Sequence, residues 1–222
     1  MKKSEVLSRI EEIGIIPAIR VPTADDALFA ARAVFSGEVP IVELTMTIPG
    51  AIDVMSTLAK ENPGMMVGAG TVWDLETAQR CVDAGAAFLT CTGLDLSLVE
   101  FAAKQNVAVL PGALTPTEVM NAWRSGADLV KVFPCSQVGG PTYIRMLRAP
   151  FPQVPLIASG GVSQQTASEF ILAGAAALGI GADLIPHEAI RLRHPEWIQE
   201  LARRFVNMVK VARKKLAGHA GG

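Results

Sequence analysis

The sequence predicts a (β/α)8 barrel of the TIM type, one domain over residues 1–217 with an added helix at each end, on three observations. Eight apolar, β-branched runs recur along the 222 residues, and successive runs start 19 to 25 residues apart, which is room for one strand, one helix and two short loops. The segments between them have helical periodicity, and several open on a capping residue and close on glycine. The runs are nearly continuous rather than alternating, as expected of strands buried on both faces. Together these favour a closed barrel, with a doubly wound open sheet as the alternative that periodicity leaves standing.

In chain order, residues 5–13 predict a short helix ending at Gly14 and placed to plug the barrel bottom. The runs then start at Ile15 (IIPAIRV), Pro40 (PIVELTM), Met65 (MMVGAGTV), Phe88 (FLTCT), Val107 (VAVLPG), Leu129 (LVKVFP), Val154 (VPLIASG) and Ala176 (AALGIG). Helices are expected over 24–34, 51–60, 75–84, 97–105, 116–125, 142–149 and 165–173, with Thr23, Asp95, Thr115 and Ser163 as caps and Gly85, Gly126 and Gly174 as stops. A last helix over 196–216 puts Trp197, Leu201, Phe205, Met208, Val209, Ala212 and Leu216 on one face and a solvated basic stripe opposite. Residues 218–222 are expected to fray as a disordered tail.

Composition narrows the function. Half of the residues are apolar and 18% charged, so a large core is feasible and global disorder is excluded. Twenty Lys and Arg against 21 Asp and Glu leave a formal charge of -1, which argues against a nucleic-acid partner. Three cysteines without a CxxC pair fit a reducing, cytoplasmic setting better than a disulfide scaffold. Neither a secretory leader nor a bilayer-spanning run is expected, so no membrane partner is either. All three histidines follow the last strand, which leaves none in the barrel for a catalytic metal or a His-activated nucleophile. No GxGxxG follows the first run, against a dinucleotide fold.

The most informative letters are charges inside strands that should be dry, because a buried ionised group is costly unless paired. Lys131 stands in Leu129-Val130-Lys131-Val132-Phe133, sharing a face with Leu129 and Phe133. In water an unperturbed lysine is free amine only about once in 2,500 molecules at pH 7; a dry strand disfavours the ammonium and yields an amine able to attack a carbonyl and form an imine. Lys131 alone reads equally well as a structural lysine paired with an acid. Glu43, in Ile41-Val42-Glu43-Leu44-Thr45, tips the balance, since a functionless buried pair is often replaceable by apolar residues at no loss. Facing one barrel mouth with Thr45 and Thr47, it can shuttle protons for the lysine. Arg20, in the first run, offers a guanidinium to a carboxylate or phosphate, or else pairs with Glu43 or another acid. Two glycine clusters, Ser159-Gly160-Gly161 and Gly179-Ile180-Gly181, end the last two runs, where barrels of this class commonly bind phosphate through bare backbone N–H groups.

The ordered set Val42-Glu43-Leu44-Thr45, Gly68-Ala69-Gly70-Thr71, Leu110-Pro111-Gly112, Val130-Lys131-Val132-Phe133-Pro134 and Ser159-Gly160-Gly161-Val162 resembles the KDPG/KHG aldolase family, class I aldolases acting on 2-keto-3-deoxy-6-phosphogluconate and 4-hydroxy-2-oxoglutarate. The resemblance implies that Lys131 forms the Schiff base and Glu43 is the general acid/base. It also implies that Thr71 holds the pyruvyl carboxylate, with Arg20, Thr45 and Pro111 among the substrate contacts, and that Phe133 packs beside the imine. Ser159, Gly160, Gly161 and Gly181 would cradle the distal phosphate. The implied products are pyruvate with glyceraldehyde 3-phosphate or glyoxylate, and the implied assembly is a homotrimer needing no metal or organic cofactor. Three positions depart from the family pattern. Thr47 stands where some members carry Arg, Cys91-Thr92-Gly93 replaces a Ser-Pro-Gly-like strand end, and Ala182-Asp183 replaces a serine in the last loop. The last change removes a hydroxyl and adds a carboxylate, which leaves open whether the substrate is phosphorylated. The rival readings are a different ketoacid, such as the galactonate epimer or an unphosphorylated acid, and a non-catalytic phosphometabolite-binding barrel.

Overall fold

Each apolar run forms a parallel strand in the computed structural model, which describes residues 1–219. The strands are β1 (Ile15–Ile19), β2 (Ile41–Thr45), β3 (Met66–Gly70), β4 (Phe88–Thr90), β5 (Ala108–Leu110), β6 (Gly112–Ala113), β7 (Val130–Val132), β8 (Leu156–Ser159) and β9 (Ala177–Ile180). They form one sheet in the order β5-β4-β3-β2-β1-β9-β8-β7-β6. Nine segments arise from eight runs because the fifth is split at Pro111, which has no N–H to give a ladder. Its two halves stand at opposite ends of the sheet order, β5 paired to β4 and β6 to β7, so the link through Pro111 joins the edges and closes the barrel. An open doubly wound sheet is thereby excluded.

The helices are α1 (Lys3–Ile13), α2 (Ala24–Ser36), α3 (Ala51–Glu61), α4 (Leu75–Asp83), α5 (Leu96–Gln105), α6 (Pro116–Arg124), α7 (Gly140–Arg148), α8 (Ala167–Leu172), α9 (His187–Arg191) and α10 (Pro195–His219). Thr23, Asp95 and Thr115 cap their helices through the side chain as expected. Ser163 does not. Its N–H donates to Thr166 Oγ1 at 3.0 Å, the chain takes one more turn, and α8 begins only at Ala167. The short α9 has too few residues to show a period and carries no sequence signal.

The first helix closes the end of the barrel away from the strand tips, and the last takes a place in the outer ring of helices. Val6 and Ile10 of α1 are buried against β5 and β9, and Lys3 pairs with Asp128 at 2.9 Å, just ahead of β7. The α10 helix packs on α2 and α8 through Ile198, Leu201, Ala202, Phe205, Val209 and Ala212. Trp197 and Leu216, expected on that face, are exposed, and Ile198 and Ala202 take their place; the buried stripe is rotated by one residue where the helix enters. Nor is its basic side uniformly solvated. Arg213 is half-buried and donates to the carbonyls of Glu12 and Ala176, both at 2.8 Å, stapling α10 to the end of α1 and the start of β9. The helix runs to His219, two residues into the segment expected to fray, and 220–222 lie outside the described residues.

Candidate active site

The strands end at one mouth, where a cavity of about 430 Å³ opens. Alternation sends Lys131 and Phe133 inward from β7 while Val130 and Val132 are fully buried under the helices. From β2, Glu43 reaches the same space, and the two residues lie on the cavity wall with their side chains only 9% and 4% exposed. Lys131 Nζ is 3.5 Å from Glu43 Oε1, 3.4 Å from Thr90 Oγ1, to which it donates, and 5.9 Å from the centre of the Phe133 ring.

Glycines inside the strands make this space. A Cβ on Gly70 would stand 2.1 Å from Glu43 Oε1, and one on Gly179 would stand 2.7 Å from Ser159 Oγ. At either site a side chain would have to displace the carboxylate or the hydroxyl, and the bare backbone is what lets both occupy the lumen. Gly68 gives the same room to the Phe88 ring.

Arg20, on the rim after β1, has no acid partner among the described residues. Its guanidinium donates to Thr71 Oγ1 at 3.2 Å and to Thr47 Oγ1 at 3.4 Å. Thr71 is itself buried with φ +60, a backbone conformation costly for a β-branched residue and concentrated at functional sites. The Arg20–Thr71–Thr47 cluster thus leaves guanidinium donors facing the cavity, the geometry for a carboxylate.

On the opposite side, Ser159, Gly160, Gly161 and Gly181 line the cavity, with Gly160 and Gly161 at φ +84 and +83. The backbone N–H groups of Gly160, Gly161 and Gly181 donate to no protein acceptor among the described residues. Ala182, Asp183 and His187 complete that wall, with aliphatic Val162, Ile185 and Ile190 around them.

Three expected contacts, Thr71, Thr45 and Pro111, are not on the cavity wall, and Thr71, expected to hold the carboxylate, reaches the cavity only through Arg20. Thr45 Oγ1 donates to the Ile19 carbonyl at 3.0 Å and pairs with Thr47 at 2.9 Å, so it ties β1 to β2 and steadies Thr47. Pro111 accepts the Lys131 backbone N–H at 2.9 Å, so it fixes the strand that carries the lysine. Sequence reasoning missed Thr90, although a threonine two residues beyond Phe88 in an apolar run is the same signal that marked Glu43. It also missed His187, which only the return of the α9 loop over the mouth brings in. Cys91 is buried near the pair. Burial pushes its thiol up to about 12 despite Lys131 nearby, so it is a neutral packing group. Among the described residues no group of three or more His, Cys, Asp or Glu side chains is gathered to hold a metal ion.

Over residues 6–201 the sequence matches the family described as KDPG and KHG aldolase. It is 31% identical over 170 residues to a 2-dehydro-3-deoxy-phosphogluconate aldolase of Pseudomonas aeruginosa, covering 77% of each chain. With the KHG/KDPG aldolase of Escherichia coli K12 it is 29% identical over 197 residues, covering 89% of this chain and 92% of the relative. A solved KDPG aldolase from Legionella pneumophila, with pyruvate captured as a covalent carbinolamine intermediate, superposes with a TM-score of 0.83 at 29% identity, over 89% of this chain and 96% of that one.

Proposed function

Because this chain belongs to the KDPG and KHG aldolase family, and so is a carbon–carbon lyase, we propose that Lys131 is its Schiff-base nucleophile and Glu43 its general acid/base. The observation that carries the assignment is the 3.5 Å approach of Lys131 Nζ to Glu43 Oε1 at the dry wall of the cavity.

The substrate is a 2-keto-4-hydroxy acid. Its carboxylate pairs with Arg20, which Thr71 and Thr47 hold in place, and its keto carbon then lies at Lys131. Glu43 takes the proton that the ammonium must lose, and the amine adds to the keto carbon. Glu43 then gives that proton to the carbinolamine hydroxyl, which leaves as water to form the iminium and returns Glu43 to the carboxylate. Glu43 next removes the proton of the 4-hydroxyl. As the aldehyde carbonyl forms, the bond between carbons 3 and 4 breaks and its electron pair passes into the iminium, giving an enamine. Protonation of carbon 3 and hydrolysis release pyruvate and restore the amine. Phe133 covers the imine, and the open N–H groups of Gly160, Gly161 and Gly181, with Ser159, meet oxygens at the far end of the substrate.

Two coarser features complete the reading. A homotrimer is supported by apolar side chains left in solvent, Trp73 at 71% exposure and Leu96 at 60%. A solved protein cage designed by fusing symmetric oligomeric domains matches the fold with a TM-score of 0.84 at 26% identity, over 94% of this chain and 76% of that one. Three free, buried cysteines fit a reducing cytoplasm, and no helix among the described residues is long and apolar enough to cross a membrane.

Pyruvate with borohydride is expected to leave a reduced pyruvyl adduct on the peptide containing Lys131, read by mass spectrometry, and Lys131→Ala is expected to carry none. A wild-type chain that stays unmodified while folded would overturn the imine.

A further inference from the structure

Resting on that imine chemistry, we infer that the far end of the substrate is unphosphorylated and that Asp183 is the residue that sets this preference. Four full charges line the cavity: Arg20, Glu43, Lys131 and Asp183. Lys131 and Glu43 face each other and are occupied with the reacting carbons. Arg20 is held on the β1 side by the two threonine hydroxyls and neutralises the substrate carboxylate. What remains for the far end is the loop after β9, where Asp183 follows Gly181 and Ala182 on the wall without a hydrogen-bond or ion-pair partner among the described residues.

A phosphate monoester brings a charge of about -1.5 to -2. Placed against the open amides of the glycine loops, it would share the wall with an unpaired carboxylate. No lysine or arginine lines that side to offset the repulsion, and the imidazole of His187 is the only basic side chain there. A chain ending in free hydroxyls meets the same groups without conflict. Its hydroxyl protons go to the Asp183 carboxylate, and its oxygens accept from Gly160, Gly161 and Gly181. The glycine loops therefore serve a neutral polyol end as donors, while Asp183 supplies the acceptor that a phosphate site would exclude.

The test compares kcat/KM for 2-keto-3-deoxygluconate and for its 6-phosphate, in the wild type and in Asp183→Asn. Asp183 is exposed and unpartnered, so the variant is expected to fold, which circular dichroism checks. The wild-type ratio of phosphorylated to unphosphorylated kcat/KM is expected at or below one, and it should rise about tenfold in Asp183→Asn as one unit charge is removed beside a dianion. Asp183→Lys should raise it further. A wild-type ratio above one, or a ratio that Asp183→Asn leaves unmoved, overturns the inference. Borohydride trapping of pyruvate on wild-type Lys131 separates the two failures: with trapping intact and the ratio wrong, only the identity of the substrate terminus is refuted.

Discussion

At the scale of single residues, Lys131 and Glu43 matter through their separation and dryness, and both were legible in the sequence because a charge in a buried strand has few innocent explanations. Glu43→Gln keeps the shape and removes the base; turnover is expected to fall about a hundredfold or more in a pyruvate-release assay, while borohydride still finds Lys131. Gly70→Ala keeps the carboxylate but puts a methyl where Glu43 Oε1 now lies, at 2.1 Å, and should lower turnover by pushing the acid away from Lys131. Wild-type rates in both variants would move the acid/base role elsewhere. The part of Gly70 was not readable beforehand, because sequence shows a glycine in a strand without showing which neighbour fills the space. Thr45 and Pro111 show the reverse difficulty. Alternation and motif resemblance put them near the site, and only the backbone shows that they brace it instead of lining it.

At the scale of elements, strands were located from apolar runs and helices from caps, and the errors fall where local chemistry has two solutions. Ser163 looks like a cap, yet its hydroxyl pairs with Thr166 Oγ1 at 3.2 Å instead of accepting a backbone N–H, and α8 starts only at Ala167. The genuine capping box at α6 is expected to carry measurable stability. Thr115 Oγ1 accepts from the Glu118 N–H, and Glu118 accepts from the Leu114 and Thr115 N–H groups. Thr115→Ala should cost about 1 kcal/mol in urea unfolding. The Thr115 and Leu114 backbone N–H groups hold the Glu118 carboxyl below its ordinary value, so the folded chain binds that proton less readily than the unfolded one. Its contribution is thus complete above the unfolded carboxylate value and is lost as pH falls through the folded one. Denaturation midpoints of wild type and Glu118→Gln should therefore differ near neutrality and converge in acid. A constant gap across pH would assign the effect to helix propensity alone.

At the scale of the whole molecule, barrel closure was inferred from repeat spacing, but the means of closure was not, since nothing in VAVLPG announces that Pro111 divides one run between the two ends of the sheet. The assembly is expected to be trimeric, and light scattering should give three times the 23.4 kDa of the chain. Trp73→Ser together with Leu96→Ser should shift the mass toward that of one chain if those side chains meet a neighbouring copy; a wild-type mass of a single chain would remove the trimer. The Arg213 staple has a practical consequence. Because it pins the last helix beside the first at the barrel end opposite the mouth, cargo genetically attached at either extremity would project away from the entrance, leaving diffusion of small metabolites unobstructed in an immobilised or scaffolded catalyst.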